Sequence, residues 1–248
     1  MPKKLFMALE WTTAKVVDIQ QAAPAIRRFF LQFSELEKFD FEPGQFVTLD
    51  LPIHEQKNKR WRSYSIASAP NGTNIIELVI VLLEGGAGTT YLFNHVNVGS
   101  ELIVRGPQGK FTLPEVIDTD IYFICTGTGI APFRAMSHFI HNHKIQHQNI
   151  HLIFGCRKME DCLYREELTA LAKSENNFFY HPCLSREPEV PAGMYKGYVH
   201  QVYDKIAKEN KRPSRFYLCG WKSMVDEAKQ RIVDLGYDRK DIHLELYG

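Results

Sequence analysis

The chain has 248 residues, and its 30 lysines and arginines nearly cancel its 29 aspartates and glutamates. That balance provides no strong field for nucleic acid or an anionic membrane, so neither is expected as a partner. The length suits two domains with real cores, the 44% hydrophobic content is ordinary for a globular protein, and no apolar run is long enough to span a bilayer.

The opening MPKKLFMALEW has neither the sustained apolar region nor the small-residue cleavage site of a secretion signal. A cytoplasmic monomer is the expectation. Residues 10–114 read as short β segments at 12–20, 26–33, 45–51, 61–68, 75–82 and 102–105, rich in Val, Ile, Phe and Thr. Turn signals such as Pro43-Gly44, Pro70-Asn71-Gly72 and Gly106-Pro107 separate them. Even spacing of this kind predicts an antiparallel β-barrel, interrupted by one helix near 89–95.

From about residue 119 the rhythm becomes strand, helix, strand, helix. Strands are expected at 121–125, 150–154, 178–182, 216–219 and 242–246, with helices at 132–142, 163–173, 199–209 and 222–235. Alternation predicts an α/β domain with a parallel sheet covered on both faces. The division falls in 114–120, giving domains 1–114 and 115–248.

The stretch IYFICTGTGIAPFRAM organises the second half. An apolar strand breaks into Thr126-Gly127-Thr128-Gly129, and Pro132 suits a first helical turn because its missing N–H would be unpaired there anyway. Free amides and the positive end of the helix dipole converge on one spot, which suits a phosphate. In the first half, Arg62-Ser63-Tyr64-Ser65 gathers a guanidinium, a flat ring and hydroxyls. On a strand, Arg62 and Tyr64 share one face and Ser63 and Ser65 the other, so a bend is needed to turn Ser65 toward the same ligand. Gly86-Ala87-Gly88-Thr89-Thr90 feeds glycines into a helix start, and GPQGKF could close the barrel. Taken singly, each has a plain structural explanation as surface charge, core ring or hairpin glycine.

The five cysteines, 125, 156, 162, 183 and 219, form no C-x-x-C and do not read as a disulfide framework. The C-x4-C-x2-C spacing of a plant-type iron–sulfur centre is absent, so such a partner would be a separate protein. Histidines 138, 141, 143, 147 and 151 cluster, but in a polar run without nearby acidic residues they read as a solvated helix end rather than a metal site.

In order, RSYS, G-x-x-T before a short helix, GPQGKF, CTGTGIAP and Leu218-Cys219-Gly220-x-x-x-Met224 resemble the ferredoxin–NADP reductase superfamily over nearly the whole chain. The resemblance implies an N-terminal FAD-binding barrel and a C-terminal nicotinamide-binding domain. It implies that Arg62 holds the flavin diphosphate, Tyr64 lies against the isoalloxazine, and Ser65 reaches its N5/O4 edge. Backbone at Val81 and Leu82, with Gly88, Thr89 and Thr90, would secure the ribityl chain and phosphates. Thr126 to Gly129 would cradle the dinucleotide pyrophosphate, with Cys219 beside the nicotinamide as a positioning contact rather than a nucleophile.

Glu245-Leu246-Tyr247-Gly248 resembles the acidic-x-Tyr ending of plant-type members with one residue added, which implies that Tyr247 covers the flavin and gates the nicotinamide. The alternative is a plain edge strand. Ser185, Arg186, Lys196 and Tyr198 resemble the Ser-Arg…Lys-x-Tyr arrangement of NADP-binding members, with Arg157 and Lys158 as further candidates. The implied activity is hydride transfer from NADPH to FAD and single-electron transfer to a ferredoxin or flavodoxin. Alternatives are an NADH-using oxygenase reductase, a reductase of free flavin, and a non-catalytic electron-transfer or interaction subunit. The basic run 57–62 is either a solvated loop or part of a face for an acidic carrier.

Overall fold

The computed structural model describes residues 10–247, so the readings of the N-terminal segment and of Gly248 lie outside the described residues. The first half carries β1 (Trp11–Ala23), β2 (Ile26–Gln32), β3 (Phe46–Asp50), β4 (Trp61–Ser65), β5 (Ile75–Val81), α1 (Ala87–Asn94) and β6 (Glu101–Gln108). The second carries β7 (Asp120–Thr126), α2 (Ala131–Asn142), β8 (Ile150–Cys156), α3 (Arg165–Ser174), β9 (Phe178–Leu184), β10 (Tyr195–Lys196), α4 (Val199–Asn210), β11 (Ser214–Trp221), α5 (Lys222–Asp234) and β12 (Ile242–Tyr247).

The first sheet runs β4-β3-β6-β1-β2-β5, and every pairing is antiparallel. It closes on itself where Ile66, just past β4, bridges Leu78 of β5 and the Ala67 amide donates to the Glu77 carbonyl at 2.8 Å. Closure removes the free edges that an open sheet would expose. Alternating apolar side chains, among them Val16, Phe29, Leu31, Val47, Leu49, Leu78 and Val104, fill the interior. The barrel and its single helix match the expectation, although α1 begins two residues earlier than anticipated.

The second sheet runs β10-β9-β8-β7-β11-β12, all parallel. Its central strands are buried on both faces, which is why β7 and β8 read as unbroken apolar runs instead of alternating ones. One face packs under α2 and α3 through Ile121, Phe123, Ile130, Phe133, Leu152, Phe154 and Leu168. The other packs under α4 and α5 through Tyr122, Ile124, Ile153, Val202, Tyr203, Leu218 and Val225. The two-residue β10 is the strand that sequence pattern did not show.

The two halves share a core: Ala23, Ile26, Ala67 and Val79 of the barrel belong to the same apolar cluster as β7 and α2. The strand order turns round between β7 and β11, so the crevice at their C-terminal ends opens toward the barrel. In open α/β sheets this reversal is where ligands bind.

Candidate functional site

A cleft of about 730 Å³ lies at this crevice, walled by β4, the end of β5 and the start of α1 on one side, and by the ends of β7, β11 and β12 on the other. Arg62, Ser63, Tyr64, Ser65, Val81, Gly88, Thr89, Thr126, Thr128, Gly220, Glu245 and Tyr247 all line it.

On β4 the alternation is as expected from a strand. Arg62 and Tyr64 register with Leu49 and Val47, whereas Ser63 and Ser65 register with Thr48 and Phe46. Ser63 Oγ and Thr48 Oγ1 are 3.0 Å apart. The strand ends at Ser65, whose hydroxyl donates directly to a Glu245 carboxylate oxygen on β12. Burial pushes the Glu245 carboxyl up, only partly offset by the Ser65 hydrogen bond. Burial likewise pushes the Tyr64 phenol up to about 12.

Arg62 is clamped by the Lys59 and Trp61 carbonyls at 3.0 and 2.7 Å. Its stem crosses the start of α1 so closely that a Cβ on Gly88 would come within 2.8 Å of Arg62 Cγ. That helix has no side-chain cap, so its first amides stand free beside a guanidinium. The Thr89 hydroxyl is occupied in holding the preceding loop, accepting from the Leu83 amide at 3.1 Å and donating to the Gly86 carbonyl at 3.1 Å. Thr90 lies a step further along α1, its amide donating to the Gly86 carbonyl at 2.9 Å, and does not line the cleft. Leu82 is 40% exposed outside it, with its amide donating to the Ala25 carbonyl at 2.7 Å.

Across the cleft, β7 ends at Thr126 and passes through a 3₁₀ turn, Gly127–Ile130, into α2. Gly127 has φ +54° and open space where a side chain would go. Gly129 faces inward, where a Cβ would overlap the Cys219 carbonyl, and Gly220, at φ +144°, leaves room for Thr126 Oγ1. The two glycines thus hold the ends of β7 and β11 together. Pro132 sits in the first turn of α2, which also lacks a side-chain cap, and Thr126 Oγ1 is buried with no hydrogen-bond partner. The Ala131 amide is already paired with the Thr128 carbonyl, so the unpaired Thr126 hydroxyl beside the glycine turn is the group that a pyrophosphate would satisfy.

Cys219 is wholly buried behind the cleft, and Met224 packs beside Gly220. Burial, then the nearby Glu245 carboxylate, pushes the Cys219 thiol well up, which disfavours its thiolate. The Tyr247 hydroxyl is buried beside Ser65 and Cys219 without a well-formed hydrogen bond to either. Trp61, Trp221 and Leu246 also line the cleft and were not singled out from sequence; the exposed tryptophan directly after the Cys219-Gly220 pair was the available signal.

Ser185, Arg186, Lys196 and Tyr198 are absent from the cleft and gather at the C-terminal ends of β9 and β10. Tyr198 is 69% exposed, and Lys196 Nζ donates to the Pro188 carbonyl at 3.2 Å. The Arg186 amide donates to the Arg157 carbonyl at 2.8 Å, bringing the two candidate cationic loops side by side.

The histidine run behaves otherwise than its sequence suggests. Acidic partners come from α3: His138 Nε2 is 2.5 Å from Glu167, and His141 Nδ1 bonds Glu175. No grouping of three His, Cys, Asp or Glu side chains among the described residues could hold a metal ion.

Comparison with known proteins agrees with this geometry. Residues 13–113 match an oxidoreductase FAD-binding domain, and residues 123–230 match an oxidoreductase NAD-binding domain. The fold and the cleft define a flavin- and nicotinamide-dependent oxidoreductase. The chain is 34% identical over 241 residues to ferredoxin–NADP reductase B of Sorangium cellulosum, covering 94% of this chain and 96% of that one. It is also 34% identical to the anthranilate 1,2-dioxygenase electron transfer component of Acinetobacter baylyi, over 78% of this chain and 54% of that protein. The structure of the Amycolatopsis cytochrome P450 reductase GcoB superposes with a TM-score of 0.85 at 26% identity, over 96% of this chain and 70% of that one. The fold of a ferredoxin NADP+ reductase from Neisseria gonorrhoeae, solved with FAD and NADP, matches at 0.78 and 24% identity, over 95% of this chain and 98% of that one. The chain belongs to the ferredoxin–NADP reductase family.

Proposed function

We propose that the protein takes hydride from NADPH onto bound FAD and passes electrons singly to a ferredoxin- or flavodoxin-type acceptor. The observation that carries this reading is the direct Ser65–Glu245 hydrogen bond, which joins the barrel to the last strand inside a cleft flanked by two uncapped helix starts. FAD supplies the conversion of a two-electron hydride into one-electron steps when bound.

The chain's own residues do the rest. Arg62 and the amides at the start of α1 neutralise the flavin diphosphate, and Tyr64 provides a flat apolar wall. Ser65 and Glu245 hold a proton within reach of the reacting edge. Thr126, Thr128 and the amides leading into α2 seat the dinucleotide pyrophosphate, and Cys219 limits how deep the nicotinamide can go. Arg186, Arg157, Lys158 and Lys196 offer charge-assisted donors to a 2′-phosphate, while Tyr198 supports the adenine. In this reading residues 1–114 serve the flavin and residues 115–248 the dinucleotide.

The relatives named as electron transfer and reductase components of oxygenases support a second reading, an NADH-using reductase with an oxygenase partner. Of the basic run, Arg60 is paired with Asp50 at 2.7 Å and Arg62 is turned to the cleft, which leaves exposed Lys57 and Lys59 for an acidic carrier. Turnover with such a carrier then falls as salt is added.

The test is an anaerobic titration of the purified, FAD-loaded protein followed by visible absorbance. Fast bleaching with NADPH and slow bleaching with NADH is the expected result, and Arg186→Ala should erase the preference. Faster bleaching with NADH moves the assignment to the second reading. A flavin that neither nucleotide reduces overturns both.

A further inference from the structure

Two exposed tryptophans line the cleft, and they stand on different elements of it. Trp221 registers with Tyr247 on β12, two residues from the Glu245 that Ser65 bonds. Trp61 opens β4 and is followed at once by Arg62.

Trp61 is built into a row of side chains that spans four strands. It registers with Asp50 of β3, Asp50 registers with Ile103 of β6, and Arg105 of β6 registers with Trp11 of β1. Ile103 and Arg105 alternate with the buried Leu102 and Val104, so this row faces away from the barrel interior. The Arg105 guanidinium carbon lies over both indoles, 4.7 Å from the Trp11 ring centroid and 5.0 Å from that of Trp61. The two rings are 5.6 Å apart and tilted by 44°. Arg105 Nε is buried without a hydrogen-bond partner, so the two π faces are what this part of the cation rests on. The stack fixes the Trp61 ring and still leaves the residue 36% exposed. A large flat ring held in place before its ligand arrives loses little side-chain freedom on binding.

The order of groups along β4 gives that ring a ligand. FAD is a flavin and an adenosine joined through one diphosphate, whereas FMN ends at a single phosphate. In the reading above, the isoalloxazine lies at Tyr64 and Ser65, and the diphosphate lies at Arg62 and the start of α1. The adenosine half then leaves Arg62 in the direction away from Ser65, which is toward Trp61. The Lys59 and Trp61 carbonyls hold the Arg62 guanidinium at 3.0 and 2.7 Å, so the diphosphate seat and the Trp61 backbone are one unit. Exposed Leu83, on the loop before α1, adds an apolar side chain to the same cleft.

We propose that Trp61, buttressed by Arg105 and Trp11, is the platform on which the adenine of FAD stacks, and that it makes the cleft select FAD over FMN. This role rests on the reading of Arg62 as the diphosphate seat. Removing an aromatic that stacks on a base costs roughly ten- to hundredfold in affinity. FMN carries no adenine, so its affinity does not depend on the ring. Arg105 is a positioning residue, which acts on the ligand only through the indole.

The test strips flavin from the purified protein and titrates the apoprotein with FAD and with FMN by calorimetry. The native protein is expected to bind FAD about tenfold more tightly than FMN, or better. Trp61→Ala should lose roughly ten- to hundredfold in FAD affinity and keep its FMN affinity. Trp61→Phe, which retains a flat ring, should recover most of that loss, and Arg105→Ala should show part of it with FMN again unmoved. Equal native affinities for the two flavins overturn the platform. So does a Trp61→Ala protein that binds FAD like the native one, or that loses FAD and FMN alike. A Trp61→Phe protein as weak as Trp61→Ala overturns stacking as the cause. If Trp61 instead meets the electron acceptor, Trp61→Ala raises the KM for that acceptor with both flavin affinities unmoved, which also overturns it. An Arg62→Ala protein that binds FAD like the native one shows separately that the diphosphate seat is what failed. An apoprotein that takes up neither flavin overturns the proposed function itself.

Discussion

Ser65 and Glu245 stand 180 positions apart in the chain and meet through one hydrogen bond. Glu245 is a carboxylate that the cleft partly desolvates. Its carboxyl is raised above the ordinary value by burial, so the folded state binds a proton more readily than the unfolded chain. Stability from this group is complete below the ordinary carboxyl value and declines as pH rises through the raised one. Glu245→Gln should therefore melt higher than the native protein at pH 7, with the gap closing below about pH 4, where the free carboxyl is protonated in both states. Thermal melts across that range decide it, and a variant less stable at pH 7 contradicts the account. Tyr247 beside it has a buried hydroxyl without a well-formed partner, so no hydrogen bond of that hydroxyl holds the ring in place. Tyr247→Ser is expected to tighten binding of the oxidised dinucleotide. Unchanged affinity by difference-spectrum titration would remove the gating role.

At the scale of the element, the turn from β7 into α2 shows two glycines with different work. Gly127 is at φ +54° with nothing near its Cβ position, so alanine there meets only the left-handed backbone penalty of about 1–2 kcal/mol. Gly129 has an ordinary backbone, but its Cβ would overlap the Cys219 carbonyl, part of a strand that cannot swing aside. Gly129→Ala is predicted to lower stability by about 3 kcal/mol or more through overpacking and backbone displacement, and to do so more than Gly127→Ala. Denaturant unfolding of the two variants checks the order; equal losses would mean that the close approach of β7 and β11 is not what the second glycine serves. Both glycines were legible in sequence as one turn, but which of them packs on a neighbouring strand was not. Spacing does not say which side of a turn packs on a distant strand.

Across the whole molecule, Glu77 is the joint. It is 3% exposed on β5, and it accepts from Arg28 Nε of β2 at 2.6 Å, from Arg134 of α2 at 3.0 Å and from the Tyr164 hydroxyl at 2.6 Å. Arg134 continues to the Ala67 carbonyl at 2.9 Å and to Glu167 at 2.6 Å, so barrel and α/β domain are locked through one buried carboxylate. Glu77→Gln leaves the partly buried Arg28 guanidinium without its carboxylate and Arg134 with Glu167 alone, and is expected to cost roughly 3 kcal/mol in chemical denaturation. A loss under about 1 kcal/mol would show that the apolar interface alone holds the halves. The same network gives the molecule an acid limit. Burial pushes the Glu167 carboxyl up, but its bonds to His138 and Arg134 outweigh that and hold it down to about 2. Its stabilisation is present above the ordinary carboxyl value and is lost as pH falls from there toward 2. Glu167→Gln should flatten the acid side of the stability profile, measured by melts between those limits.

The chain pattern by itself determined the class of each half. Regularly spaced short segments rich in Val, Ile, Phe and Thr between turn residues are met by a closed antiparallel sheet, and strands alternating with helices by a parallel sheet covered on both faces. It also determined where the glycine turns at the helix starts lie, because glycine and proline placement is a local steric property. Tertiary structure alone decided what came together. No local signal links Ser65 to Glu245, Glu77 to Arg134, or the histidine run to Glu167 and Glu175, since these pairings follow from how barrel, sheet and helices dock. The packing of Gly129 on Cys219 belongs to the same category, for side-chain direction and close approach are set by the completed core and not by neighbours in sequence.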